Sequence, residues 1–526
     1  MVGQCMDALY DHHLPGPLAS DLGGYERVKA SSRSLGWLPA LLPALLLTII
    51  HWNSSPALQN DDYAQYLSHA KALSEGRPYT DIGYLHSDYS PWVGPRAYPP
   101  GLPLTLWAIF ELSGPESIVI KCVMAAFFLS FLLLAGRYFG AIDCRLGYGV
   151  ILLCGVSQPL ALDSSAVGSD VAFAALVWAL VSLYDRPGSW RSQRVLGITV
   201  LAIAALAFRL AGLALLPAML LFTAVNFREH RFAPVVPPLI LAGILSAAVV
   251  LIPGSSGTLL VTDFNPLQML GEITSRLSYY RFPVFQSHLD PFSTDRFNDV
   301  YHLFAFVLMA IGLAWFVRRF WTRFSISFTA MYVVFLLFVP ASAARYFWPL
   351  FPLVAFGLLN GVKLAVKLSR SSFSSDRASA VALVLAAVVA LITMISHTLY
   401  LPPPPSMARD PAAQDLFDYL REVASREEIR AAFVKPRVLT WETGIPAMST
   451  FDGTPADIEA ELRRQGVTHV VLGDLGLNPK NDDAWRTTVF QRPDLFSHDY
   501  ENRAFTIYRF AAGNDALEQR ELGRQP

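Results

Sequence analysis

Charged side chains are scarce in this sequence. Asp, Glu, Lys and Arg make up 16% of its 526 residues, while 53% are hydrophobic; a soluble chain carries about 25% charged residues. The deficit excludes a chain that is water-exposed throughout and points to lipid as one of its solvents. The formal net charge is −1, and the basic residues sit in short clusters between apolar runs, so nothing supports a nucleic-acid partner. Cysteine is sparse too: Cys5 lies in the N-terminal tail, Cys122, Cys144 and Cys154 lie in or beside apolar segments, and none follows residue 400. That leaves no disulfide framework and no CxxC metal site. The region after residue 400 lacks a phosphate-cradling glycine loop. No internal repeat is evident either, which weighs against an inverted-repeat transporter.

What the sequence has in abundance is apolar runs. A span needs about 20 mostly apolar residues, and candidates fall at 36–52, 117–136, 146–162, 170–184, 195–208, 210–226, 234–252, 300–317, 325–341, 346–362 and 379–399. The first 35 residues are polar and mixed in charge, too long and acidic for a signal-peptide n-region, so the first run is expected to be retained. A further run at 99–113 is short and opens with prolines, which break a helix at its start. It is read as lying along the interface. With that choice Arg137, Arg145, Arg186, Arg191, Arg194, Arg228, Arg231, Arg318, Arg319, Arg323, Lys363, Lys367, Arg370 and Arg377 fall on one side. The positive-inside rule makes that side the cytoplasm. Asp61, Asp62, Asp81, Asp88, Asp163, Asp170, Asp263 and Glu272 collect opposite. The expected fold is therefore mainly α: a polytopic helical membrane bundle of about eleven spans over residues 36–400. A cytoplasmic tail (1–35) precedes it, and long loops at 53–115 and 253–298 face outward.

After Leu-Pro-Pro-Pro-Pro at 401–405, a stiff spacer, the patterns predict a small extracytoplasmic α/β domain over 401–526. Helices are expected at Ala412–Val423 and Thr454–Gln465, and strands at Arg437–Trp441, Thr468–Leu472 and Ala504–Phe510.

Four places carry residues suited to chemistry. Asp61 and Asp62 follow the first span; adjacent carboxylates there either cap the next helix or, with a raised pKa, supply a general base. Asp170 opens another span and is open to the same two readings. Arg209 and Arg345 run against the positive-inside trend near headgroup depth. They bind lipid headgroups non-specifically or clasp a substrate phosphate with their forked donors, and Lys121 can join them. The stretch Tyr79–Tyr98 is rich in aromatics, as in an interfacial belt or a sugar-stacking surface. His86 and Asp88 lack a second histidine at helical spacing, so no metal site is assigned.

In order and in common sidedness these pieces resemble the GT-C superfamily of polyprenyl-phosphate-sugar-dependent glycosyltransferases, which includes protein O-mannosyltransferases and aminoarabinose transferases. The resemblance rests on Asp61-Asp62 with His69-Ala70-Lys71-Ala72-Leu73, on Tyr98-Pro99-Pro100-Gly101-Leu102-Pro103, on Ser169-Asp170 after Gln158-Pro159, and on Arg209-Leu210-Ala211-Gly212-Leu213 with Arg345-Tyr346. It implies an enzyme of the plasma (inner) membrane and cell envelope. That enzyme would move a sugar with inversion from a polyprenyl-phosphate donor to an acceptor lipid, glycan or protein. Asp61 matches the family's first acid and would be the base, with Asp62 beside it and Asp170 orienting the acceptor or the base. Lys121, Arg209 and Arg345 would hold the phosphate, and Tyr346, Tyr98 and Arg96 would line the substrate. Divalent-cation use varies in the superfamily. A transporter or flippase of a lipid-linked or anionic substrate is the alternative; it predicts charges and helix breaks near the midplane. A non-catalytic scaffold presenting the α/β domain is the third reading.

Overall fold

The structure, a computed structural model, describes residues 37–50, 61–89, 98–115, 117–157, 160–162, 166–230, 233–251, 295–338, 344–370, 372–399, 410–473 and 479–511. Residues Ala40–Pro526 belong to one compact unit. Up to residue 399 its elements are helical: α1 (Leu38–Ile50), α2 (Asp61–Ser74), α3 (Gly101–Ser113), α4 (Ser117–Gly140), α5 (Cys144–Gly155), α6 (Ser169–Tyr184), α7 (Ser192–Phe208), α8 (Leu215–His230), α9 (Val236–Leu251), α10 (Asp295–Phe320), α11 (Phe324–Phe338), α12 (Phe351–Ser369) and α13 (Ser375–Leu399). Short 3-10 turns at Leu210–Ala214 and Ala344–Leu350 lead into α8 and α12. Among the described residues, four segments are long and apolar enough to cross a bilayer: Ile118–Gly140, His302–Phe320, Arg345–Ser369 and Ser375–Ile395. The first has 23 residues and reaches about 35 Å, more than the ~30 Å hydrocarbon core. The chain is an integral membrane protein by these helices.

Small residues bring the helices together, as packing within lipid requires. A Cβ on Gly312 of α10 would overlap the Gly357 carbonyl of α12, and one on Gly361 would overlap the Leu308 carbonyl. Asn360 Nδ2 donates to the Gly312 carbonyl at 3.2 Å across the same contact. Gly361→Leu is therefore expected to separate α10 from α12. The loss is about 1–3 kcal/mol or more, read as a lower melting temperature by size-exclusion after heating; Gly361→Ala should fall between.

Polar ties mark one end of the bundle. Past the C-terminus of α4, Asp143 accepts from Lys363 Nζ of α12 at 2.7 Å and caps α5. After α6, Asp185 accepts from the Phe324 amide and from Tyr138 at 2.6 and 2.7 Å. Because neighbouring helices alternate in direction, the N-termini of α2, α4, α6 and α12 and the C-terminus of α7 fall at the opposite end.

The C-terminal part holds α14 (Pro411–Ala424), β1 (Ala431–Phe433), α15 (Pro436–Thr443), β2 (Ala447–Ser449), α16 (Pro455–Gln465), β3 (His469–Gly473), α17 (Pro479–Gln491), β4 (Phe496–Glu501) and β5 (Phe505–Phe510). The strands form one mixed sheet in the order β2-β1-β3-β5-β4. β1 runs parallel to β2 and β3, while β5 is antiparallel to β3 and β4. Strand alternation sends Ala431, Phe433, Val471 and Ile507 to one core with Leu416 and Phe417 of α14 and Val438 and Leu439 of α15. Ala432, Val470, Leu472 and Phe510 go to the other, with Ile458, Leu462 and Trp485.

One sequence expectation changes. Arg437–Trp441, expected as a strand, lies within helix α15. Pro436 stands at its first turn, where its fixed φ suits a helix, and Gly444 ends it at φ 77°, a left-handed position that favours glycine. The run 99–113 forms helix α3 from Gly101 onward, since the prolines that argued for a break stand before and inside its first turn. Leu102, Leu106 and Ile109 pack with Tyr66, Leu67 and Ala70 of α2 and Ile120 and Met124 of α4, while Leu104, Trp107 and Leu112 stay exposed.

Candidate active site

Helix α2 begins at Asp61, and its 3.6-residue period puts Asp62, Gln65, Tyr66 and His69 on one face. Asp62 Oδ2 receives Arg345 Nη2 at 2.5 Å. Its Oδ1 accepts from the Tyr98 hydroxyl and lies 3.5 Å from Arg437 Nη2. Burial alone would raise this carboxyl, but Arg345, then Arg437, outweigh it and hold its pKa at about 2.

Asp170 stands in the first turn of α6, whose N-cap is Gly168. Its carboxylate pairs with Arg209 Nη1 at 2.7 Å rather than capping the helix, with Arg345 Nε 4.0 Å away. Asp170 Oδ1 is buried and has no hydrogen-bond partner among the described residues. Such an atom is rare in folded proteins, since an unmet buried acceptor costs about 1–3 kcal/mol.

Arg209 follows the last turn of α7 in extended backbone. It donates to Ser169 Oγ at 3.0 Å, and Ser169 Oγ in turn meets the Tyr66 hydroxyl at 2.8 Å. The Arg209 guanidinium lies 4.6 Å above the Tyr346 ring, with Arg345 5.9 Å from the same ring. The end of α7 is reached closely by α3: a Cβ on Gly101 would come within 2.7 Å of the Ala207 carbonyl. The Tyr98–Pro103 motif thus needs its glycine to bring Tyr98 and Arg209 to one place.

Among the described residues three guanidiniums, those of Arg209, Arg345 and Arg437, converge on two carboxylates, those of Asp62 and Asp170. Forked guanidiniums gathered in this way suit a phosphate. Lys121 is also buried, on α4, between Ile120 and Met124, which pack on α2. Asp61 opens α2, but its side chain lies outside the described residues, as do Arg96 and Asp163. His86 and Asp88 sit 3.8 Å apart at the surface, with Arg464 3.9 Å from Asp88.

Arg437 and Gln65 escaped the sequence reading, and His69 stands there within a motif but with no role. Arg437 comes from the α/β part, in a run expected as a strand, and nothing local marks it. Gln65 and His69 carry a readable signal, the i, i+3, i+7 spacing from Asp62. Together they form a directed hydrogen-bond chain. Arg437 Nη1 donates to Gln65 Oε1 at 2.5 Å, and Gln65 Nε2 meets His69 Nε2 at 3.2 Å. His69 Nδ1 lies 2.6 Å from the Tyr79 carbonyl, which only accepts, so Nδ1 carries the proton and Nε2 takes the one from Gln65. The His69 ring stacks on Tyr79 at 4.0 Å.

Burial draws the His69 imidazole down to about 4 from 6.5, against the Tyr79 hydrogen bond, which raises it. Between those values the unfolded chain binds a proton that the folded chain refuses, so stability falls as pH drops from about 6.5 to 4. The expected loss is about 3 kcal/mol. Melting curves from pH 7 to 4.5 should show it, and His69→Asn should flatten the slope.

No protein-family model matches this chain, and no curated protein sequence does. Solved structures do. ArnT from Cupriavidus metallidurans bound to undecaprenyl phosphate aligns with a TM-score of 0.53 at 13% identity, over 92% of this chain and 99% of that one. The same protein in its apo state aligns at 0.52, with the same identity and coverage. The archaeal oligosaccharyltransferase AglB from Archaeoglobus fulgidus, in complex with an inhibitory peptide and a dolichol-phosphate, aligns at 0.52 and 12% identity, over 83% of this chain and 69% of that one. The fold of the chain is thus that of the GT-C glycosyltransferases ArnT and AglB over most of its length.

Proposed function

We propose that the chain moves a sugar from a polyprenyl-phosphate donor to an acceptor hydroxyl at the outer face of the plasma membrane. The observation that carries this reading is the convergence of Arg209, Arg345 and Arg437 on Asp62 and Asp170 at one end of a membrane bundle. The likeness to ArnT and AglB, crystallised with undecaprenyl phosphate and dolichol-phosphate, supports the same donor class. Sidedness follows from charge: Arg137, Arg145, Arg186, Arg323, Lys363 and Arg377 belong to the Asp143–Asp185 end, which the positive-inside rule makes cytoplasmic. The α/β part and the site then face outward. A membrane setting suits this chemistry, because the polyprenyl tail stays in lipid while its sugar reaches water.

The donor phosphate takes Arg345 and Arg209 from their carboxylates, with Lys121 adding charge. Asp62 loses one of its two guanidiniums, and its pKa rises from about 2 toward a value suited to a general base. The acceptor hydroxyl gives its proton to Asp62 as its oxygen attacks the anomeric carbon. The bond from that carbon to the phosphate oxygen breaks, with inversion, and the lipid phosphate leaves against Arg345 and Arg209. Asp170 Oδ1 accepts a hydrogen bond from the acceptor or the sugar. Asp62 replaces Asp61 as the base in this scheme, because α2 aims Asp62 with Gln65, Tyr66 and His69.

The test is comparison of lipid extracts from cells with and without the gene, followed by turnover of the accumulated lipid by purified protein in nanodiscs. Accumulation of an unconsumed polyprenyl-phosphate sugar names the donor. Absence of any such lipid, together with no turnover of supplied lipid-phosphate sugars, refutes the proposal.

A further inference from the structure

We propose that Arg437, carried by the α/β part, is a positioning residue of the transfer site, so that docking of this part onto the first outer loop completes the site. The inference rests on the transfer reading above and adds a role for the C-terminal region.

Its basis is geometric. Arg437 is 7% exposed. It touches three groups of the site at once: Asp62 at 3.5 Å, Gln65 at 2.5 Å and the Tyr98 hydroxyl at 2.7 Å. It also lies 5.4 Å from the Tyr98 ring. The Tyr98 hydroxyl accepts a hydrogen bond from Arg437 Nη1 and donates its own to Asp62 Oδ1. A buried guanidinium is costly unless its partners hold it.

The helix that carries Arg437 is fixed to the membrane part on several sides. Trp441 of α15 packs with the cluster of Tyr66, Leu102 and Met124. Ala64 of α2 lies inside the core formed by α14, α15 and the sheet. A Cβ on Gly83, at φ +73°, would come 2.5 Å from Thr440 Cγ2. Beyond α2 the outer loop adds to the sheet edge: the Leu85 amide donates to the Ala447 carbonyl at 2.8 Å, and the Ala447 amide to the Gly83 carbonyl at 3.1 Å. Tyr89 stacks on Phe451 at 4.4 Å, and Gln465 Nε2 donates to the His86 carbonyl at 2.5 Å. Strand addition of this kind gives a docked segment a fixed register.

The role follows from the partners. Arg345 lies 2.5 Å from Asp62 and 4.0 Å from Asp170, so it bridges both acids and is placed to move onto a phosphate. Arg437 reaches Asp62 while its Nη1 serves the neutral acceptors Gln65 and Tyr98. When the donor draws Arg345 away, Arg437 stays. It keeps Asp62 ionised, and through Tyr98 it keeps Oδ1 in place, leaving Oδ2 to the acceptor. Among the described residues, the groups facing Asp62 include Arg345 before α12, Arg437 on α15, Tyr98 before α3, and Arg209 after α7. Tyr66 faces it from its own helix.

The test uses the full chain in nanodiscs, with Arg437→Ala, Arg437→Lys and Gly83→Val. Gly83→Val lifts α15 without removing a charge. The first readout is an infrared pH titration of the Asp62 carboxyl band, assigned by its loss in Asp62→Asn. The second is kcat and KM against pH with the lipid-phosphate sugar that the wild type consumes. Arg437→Ala is expected to move the Asp62 midpoint up by about 1 pH unit or more. It should also lower kcat about 10–100-fold, with donor KM within about threefold. Arg437→Lys should restore the midpoint but not the whole rate, since one ammonium replaces a fork. Gly83→Val should follow Arg437→Ala. An Asp62 midpoint that stays put in both Arg437→Ala and Gly83→Val overturns the proposal. So does a rate loss that only tracks the folded fraction. If the wild type turns over no lipid-phosphate sugar, the transfer reading fails by itself. The infrared titration then decides the positioning role alone: a moved band supports it and an unmoved band overturns it.

Discussion

Asp62→Asn is expected to abolish sugar transfer while tightening the hold on the donor. The carboxylate is the only member of the proposed scheme that takes the proton, and general-base catalysis contributes about 10²–10⁴-fold. A loss near 10³ corresponds to about 4 kcal/mol of transition-state stabilisation. The same change leaves Arg345 and Arg437 without the anion they share, at 2.5 and 3.5 Å. A donor phosphate then meets an Arg345 that need not first leave Asp62, so affinity rises as kcat falls. Two measurements check this: single-turnover transfer, and the rise in melting temperature on adding undecaprenyl phosphate. The second should be larger in Asp62→Asn than in wild type, because binding to the folded form adds stability in proportion to ln(1 + [L]/Kd). Transfer retained within about threefold of wild type would remove Asp62 from the base role and return the question to Asp61.

Arg345→Ala is expected to act oppositely on the donor. Removing a donor aimed at developing charge costs about 10²–10³ in kcat, and here the same guanidinium also binds the ground-state phosphate, so donor KM rises too. Its third effect is on pH. Arg345 is the largest of the influences that depress the Asp62 carboxyl, so its loss raises that pKa by about 1–3 units. Activity needs the ionised carboxylate; the acid limb of kcat/KM therefore moves to higher pH, not lower. Arg345→Lys keeps the charge and should return the acid limb, with only part of the rate. The Asp62→Asn/Arg345→Ala double variant should fall well short of the summed losses, because the two side chains act on one another. An unmoved acid limb in Arg345→Ala would show that Asp62 does not govern the profile.

Much of the fold is visible in local pattern. Ser117–Gly140 is a helix because 24 residues, rich in Phe, Leu, Ala, Val and Ile, run without proline. α14 and α16 appear where the amphipathic spacing of Ala412–Val423 and the Thr454 cap of Pro455–Gln465 put them. β3 and β5 follow their β-branched and aromatic runs. α15 did not, since Arg-Val-Leu-Thr-Trp alternates as a strand does, and only Pro436 and Gly444 argue for a helix. β1 and β2, of three residues each, are too short for any periodicity; the sheet forms them by pairing with their neighbours.

The sequence by itself determined that this is a membrane protein with an α/β part and that Asp170, Arg209 and Arg345 stand at the ends of apolar helices. Hydropathy and helix period are local properties, and both decide these matters within a window of about 20 residues. Only the tertiary structure decided which acid meets which arginine. Arg345 reaches Asp62 across 283 positions and Arg437 reaches Gln65 across 372. Such contacts depend on where whole helices dock: on Gly101 admitting α3 to the end of α7, and on Gly83 admitting α15 to the outer loop. A charged side chain carries no mark in the linear sequence of the partner that folding will bring to it.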